Sequence, residues 1–178
     1  MIAPVPPSRP REGAGRFYDL IAAGALARVV ISGCRMTKLD HALDLFSRQF
    51  NCAQAILGAY GPSEGLEEEH CLKIAAPFGG GIARLAETCG AVTGALMVLG
   101  LRYGTATTSD PAAKAEMYTR AQVFVQRFKT RNGSVLCRDL LGFDIGTPEG
   151  WKQAQDRQTH MTVCPKLVRD AAEILDEM

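Results

Sequence analysis

The residues in this 178-residue chain best suited to chemistry are its six cysteines, Cys34, Cys52, Cys71, Cys89, Cys137 and Cys164. That is many for an ordinary intracellular chain and few for a disulfide-stapled mini-protein. They form no CxxC, no CxxCH and no cysteine–histidine ladder, so zinc ribbons, thioredoxin-type sites and attached c-type haem lack their signatures. Any joint work by these thiols has to be assembled by the fold. Three stand at expected helix starts: Cys52 follows Asn51, Cys89 heads a glycine-rich helix, and Cys164 precedes Pro165. A helix start offers unpaired N–H groups and partial positive charge, which favour thiolate over thiol. Cys137, in a short helix, is followed by Arg138, another source of positive field. A single cysteine is ordinarily a small buried hydrophobe, but inert packing does not concentrate at thiolate-stabilising positions. Cys71 lies mid-helix between His70 and Leu72 and is expected to be filler.

The elements that must carry these thiols read as helices. From Lys38, apolar residues recur at three- and four-residue steps through Leu39, Leu43, Phe46, Phe50, Ala53, Leu57 and Tyr60, with a break near Gln49–Asn51. A turn at Gly61–Gly65 leads to a short helix over Leu66–Ala76, stopped by Pro77 and Gly79-Gly80-Gly81. The helix near Thr88–Tyr103 is apolar nearly all round, which suits the middle of a bundle. Its smooth face of Gly90, Ala91, Gly94 and Ala95 admits another backbone, a bulky cofactor or a second copy of the chain. Asp110-Pro111 and Asn132-Gly133 bound a long helix whose inner face carries Phe124 and Phe128. Ser134–Leu141 reads as a short helix closed by Gly142, Thr147-Pro148 opens another, and Cys164-Pro165 opens the last. No segment alternates with period two. The expected fold is an all-α helical bundle with a glycine-rich loop before a central small-residue helix.

The segment Thr88-Cys89-Gly90-Ala91-Val92-Thr93-Gly94-Ala95 contains Cys-Gly-Ala-x-x-Gly. With Asn51-Cys52-Ala53-Gln54 upstream and Cys137-Arg138-Asp139-Leu140-Leu141-Gly142 and Cys164 downstream, it resembles the C_GCAxxG_C_C family of redox-active proteins with four characteristic cysteines. The resemblance runs from about Met36 to Met178 and includes Phe78-Gly79-Gly80-Gly81. It implies redox or metal chemistry at Cys52, Cys89, Cys137 and Cys164, and it leaves out Cys34 and Cys71.

Two chemistries fit four such thiolates, and the first is the leading expectation. The four cysteines hold an iron–sulfur cluster for electron transfer to a redox partner protein, with Gly79, Gly80, Gly81, Gly90 and Gly94 giving it backbone amides and room. In the alternative, Cys89 attacks and Cys52 completes a thiol–disulfide exchange. Structural zinc on the same four cysteines is a third reading. Arg84 and Glu87 are expected to be a solvated arginine and a helix-start carboxylate. His41, His70 and His160 are expected at the surface, and Trp151 and Phe143 as packing anchors. The FGGGIAR stretch lacks P-loop and GxGxxG spacing, so a tight turn is the better reading than a phosphate cradle.

Composition sets the limits. With 47% hydrophobic and 22% charged residues, a core is easily built. A net charge of +1 argues against nucleic acid as a partner. The longest apolar stretch, Ala91–Leu101, is well short of the roughly 20 residues that cross a bilayer. Residues 1–35 read as a poorly ordered extension, proline-rich at its start and basic from Arg9, Arg11, Arg16, Arg28 and Arg35, with Met36 as the natural start. Ile31-Ser32-Gly33-Cys34 resembles a lipoprotein cleavage box, but Asp19 and Arg28 interrupt the apolar run that export needs, and a cytoplasmic location is expected.

Overall fold

Thr37 starts the first helix. Its hydroxyl accepts from the Asp40 N–H, and the Asp40 carboxylate accepts from the Thr37 N–H, a capping box that opens α1 (Lys38–Ser47). Asn51 and Gln54 repeat the device and open α2 (Cys52–Tyr60), after a left-handed Gln49 at φ 71° has turned the chain. A computed structural model describes residues 36–178. The basic extension 1–35, with Cys34 and the cleavage-box resemblance, lies outside the described residues.

A 3-10 turn (Gly61–Glu64) leads into α3 (Glu68–Ala75), and a second (Ala76–Phe78) into the glycine loop. Then come α4 (Gly90–Tyr103), α5 (Pro111–Asn132), α6 (Cys137–Leu141), α7 (Pro148–Asp156), α8 (Thr159–Thr162) and α9 (Cys164–Asp176). The fold is all-α; among the described residues the one piece of β pairing is an isolated antiparallel bridge between Thr88 and Leu136. No helix among them is long and apolar enough to cross a membrane.

The main core gathers α1, α2, α4, α5 and α9. Leu45, Ile56, Leu57, Leu99, Phe124, Phe128, Ile174 and Leu175 are sealed from solvent there. Each such side chain stabilises the fold by roughly 1.5–3 kcal/mol. Tyr60 ties α2 to α9, its hydroxyl 3.0 Å from the Ala172 carbonyl and 2.9 Å from Asp176 Oδ1. A second, much smaller cluster of Ala86, Cys137, Ile145 and Ala154 is packed by Leu141, Phe143 and Trp151.

Three elements depart from expectation. Leu66 stays outside α3 because its N–H closes the preceding turn onto Gly61 O. Ser134–Leu136 lies outside the helix, with Leu136 extended, because Cys137 N–H donates to Glu87 O at 2.6 Å and Arg138 N–H to Ala86 O at 3.1 Å. The short α8, led by left-handed Gln158, carries no apolar period long enough to be read.

Candidate functional site

Each of Cys52, Cys89, Cys137 and Cys164 stands at a helix start. Cys52, Cys137 and Cys164 are the first residues of α2, α6 and α9, and Cys89 is the N-cap of α4. All four line one cavity of about 800 Å³, its walls drawn from both hydrophobic clusters. All are free thiols; Cys52, Cys89 and Cys137 are buried and Cys164 is half-buried. Cys71 is buried inside the main core, its thiol directed at Leu66 O, and does not reach the cavity.

A local cap and a close helix contact place Cys52 and Cys89. Asn51 Oδ1 accepts from the N–H groups of Ala53 and Gln54, both at 3.0 Å, while its Nδ2 donates to Ala76 O at 2.9 Å. One side chain thus starts the Cys52 helix and fixes it to the entrance of the glycine loop. Gly90 and Gly94 let α4 lie directly on α2. A Cβ at Gly90 would meet Ala53 N at 3.0 Å and Cys52 Cβ at 3.1 Å, and one at Gly94 would meet Ala53 O at 2.9 Å. Gly94 therefore receives α2's backbone and is not part of the cavity wall, whereas Gly90 is. This part of the smooth face is thus occupied by α2.

The loop between Phe78 and Cys89 winds in the left-handed sense. Gly80, Gly81, Ile82, Ala83 and Arg84 have φ between 51° and 70° in succession, and Ala86 follows at 58°. Each non-glycine residue so held costs roughly 1–2 kcal/mol. The conformation is locked by Ala83 N–H to Pro77 O at 2.7 Å, Arg84 N–H to Gly79 O at 3.1 Å and Glu87 N–H to Gly81 O at 3.0 Å. It delivers residues 86–89 to residues 135–138, where Cys89 N–H donates to Val135 O at 2.8 Å. The antiparallel bridge at Thr88 and Leu136 sets Cys89 opposite Val135 and Cys137 opposite Glu87, so the two cysteines flank the bridge diagonally. Gly81 is required there, since a Cβ would meet Cys137 Cβ at 2.7 Å. Gly79, Gly80 and Gly81 all line the cavity, and their N–H groups donate to no backbone carbonyl among the described residues.

The thiols differ in acidity. Hydrogen bonding with Cys52 holds Cys89 below the ordinary thiol value; burial opposes this, and the Ala91 and Val92 N–H groups reinforce it. Cys52 is pushed well above that value by hydrogen bonding with Cys164, then with Cys89, and by burial. Cys137 is pushed up to about 12, chiefly by burial, then by the negative charge of Cys89 and Cys164, with Arg138 opposing. The pocket thus favours one thiolate and resists the next. Among the described residues no three His, Cys, Asp or Glu side chains are gathered closely enough to hold a metal ion as they stand.

Three cavity residues carry more than the sequence suggested. His160 is half-buried rather than a surface residue, stacked on Phe46 with ring centroids 4.3 Å apart, and burial lowers its pKa. Arg84 is exposed, with its guanidinium 4.3 Å from the centre of the Trp151 ring, so Trp151 is both a packing anchor and a cavity wall. No local signal reveals these; they meet the cysteines through packing between distant segments. Glu87 pairs with Arg138 outside the cavity. His41 approaches Glu68, and His70 is an exposed partner of Glu67.

Neither a curated protein nor a solved structure matches the chain. One family model does, over residues 50–178, described as "Putative redox-active protein (C_GCAxxG_C_C)". That span holds all four cavity cysteines and the loop that joins them: the chain belongs to the C_GCAxxG_C_C family.

Proposed function

We propose that the four cysteines hold an iron–sulfur cluster and that the protein is an electron carrier. The observation that carries this reading is that four cysteines, each at a helix start, line a single cavity. An exchange reaction needs two thiols and one thiolate, whereas a cluster is commonly held by four cysteines. The lowered acidities of Cys52 and Cys137 point the same way: a second and third thiolate require a compensating cation. The donor set fits, being soft thiolates only, and Gly81 and Gly90 keep Cβ atoms away from Cys137 and Cys52. When bound, a cluster takes up and releases single electrons. The chain's own part would be to supply four sulfurs, to replace the thiol–thiol interactions with ligation, and to present the N–H groups of Gly79–Gly81 to the cavity. Donors to sulfur of this kind raise the potential.

A second reading rests on the contact of Cys52 with Cys89. The Cys89 thiolate attacks a substrate disulfide, forming a mixed disulfide and expelling one thiolate. Cys52 gives its proton to the expelled thiolate and attacks the Cys89 sulfur, closing a Cys52–Cys89 disulfide and expelling the second thiolate. Two electrons thereby pass to the substrate.

Anaerobic purification, or reconstitution with ferrous iron and sulfide, separates the readings. A cluster gives a brown protein with acid-labile sulfide. Serine at position 52, 89, 137 or 164 lowers iron at least about tenfold, the scale on which even outer partners act, while Cys71→Ala retains it. Colourless protein whose thiols reduce a disulfide substrate would establish exchange instead. Zinc at one per chain, without sulfide, would make the centre structural.

A further inference from the structure

Beyond its thiols, the cavity has the character of a small-molecule pocket. Its volume of about 800 Å³ falls within the range of roughly 300–1,000 Å³ found for such pockets. Arg84 is the one arginine, lysine, aspartate or glutamate among its lining residues, and burial disfavours charge on His160. Arg48, Arg102, Arg120, Arg127, Arg131 and Arg138 each pair with a carboxylate. Among the described residues Arg84 has no such partner within ion-pair distance; it lies instead on Trp151, which covers one face of the guanidinium and leaves its donor edge free. Its backbone is fixed as well, left-handed at φ 63° with the N–H on Gly79 O. The walls around it are apolar at Leu141, Ile145 and Trp151 and neutral polar at Gln155 and Gln158.

We infer that this cavity binds a small organic monocarboxylate, its carboxylate on the Arg84 fork and its apolar body against Trp151, Leu141 and Ile145. A planar guanidinium held on a ring matches a carboxylate through two parallel hydrogen bonds. A single positive charge with no second cation selects a monoanion, and apolar walls favour a carbon chain over an inorganic oxyanion. The site goes beyond the proposed redox chemistry and does not depend on what the thiols hold.

Trp151 is the sole tryptophan of the chain, so its emission reports this pocket alone. Full-length protein is titrated with straight-chain monocarboxylates from acetate to octanoate, with the corresponding primary amides, and with inorganic phosphate. The expected result is a saturable emission change for at least one carboxylate, with its amide at least about tenfold weaker through loss of the charge-assisted bonds. Arg84→Gln loses that binding by a similar factor, and Arg84→Lys, which keeps the charge without the fork, is also weakened. Circular dichroism melts of both variants confirm that they fold. The inference is overturned if no carboxylate gives saturation, if amides or phosphate bind as tightly, or if Arg84→Gln binds like the parent. Repeating the titration before and after iron–sulfide reconstitution keeps this result separate from metal loading, and Arg84→Gln takes up iron like the parent.

Discussion

At Cys89 and Cys137 the same environment produces opposite acidities. Both are nearly sealed, at 3% and 7% exposure, so access does not distinguish them. Cys89 is stabilised as thiolate by Cys52 and two helix-start amides, whereas Cys137 meets burial and the charge of its neighbours. A lowered value fills the thiolate at lower pH, and a raised value empties it. In reduced, metal-free protein, iodoacetamide labelling followed by peptide mapping should modify Cys89 at pH 8 while Cys137 stays largely unmodified, its thiolate fraction at about 12 being roughly 10⁻⁴ there. Equal labelling would show that the Cys52 contact, with the helix-start amides behind it, does not set the reactivity. Cys52, Cys89 and Cys164 were legible in the sequence because asparagine, glycine and proline mark their helix starts locally, and Cys137 through the neighbouring Arg138 and the family resemblance. Arg84, Trp151 and His160 were not, because each reaches the cavity through packing with residues far along the chain.

The pairing of α2 with α4 decides how far apart Cys52 and Cys89 stand. Two glycines on α4 make opposite predictions from one propensity. Alanine favours a helix over glycine by roughly 1 kcal/mol. At Gly100, exposed and with nothing within 4 Å of a new Cβ, that gain is free, and Gly100→Ala should stabilise by about 0.5–1 kcal/mol. At Gly94 the Cβ would fall 2.9 Å from Ala53 O and 3.1 Å from Ala53 Cα, backbone that cannot turn aside. Gly94→Ala should destabilise by about 1–3 kcal/mol, the usual cost of overpacking. Urea unfolding of the two variants reads both signs, and a stabilised Gly94→Ala would mean that α2 and α4 are not held by close backbone contact. Most helices could be read from caps and periodicity. The start of α6 could not, since its position is set by hydrogen bonds to residues 86 and 87, about fifty positions upstream.

On the scale of the whole chain, the cavity joins two regions of unequal strength. Cys52, Cys89 and Cys164 belong to the large core, where α1, α2, α4, α5 and α9 bury many aliphatic and aromatic side chains. Cys137 belongs to the small cluster, whose buried members are Ala86, Cys137, Ile145 and Ala154. Local opening follows buried apolar contact, so the 137–156 segment should open at a lower free energy than α2 and α4. A ligand bound to cysteines of both regions stabilises the state in which they meet, and its binding energy appears as protection of the weaker one. Hydrogen exchange on metal-free protein should therefore find α6 and α7 exchanging at least about a hundredfold faster than α2 and α4, a difference of roughly 2.7 kcal/mol. Iron–sulfide reconstitution should slow α6 and α7 while leaving the slow amides of α2 and α4 nearly unchanged. In Cys137→Ser protein the reagents should give no such protection, because the one ligand contributed by the small cluster is gone. Uniform protection of all helices, or protection that survives in Cys137→Ser, would place the bound group within the large core and leave Cys137 outside the centre.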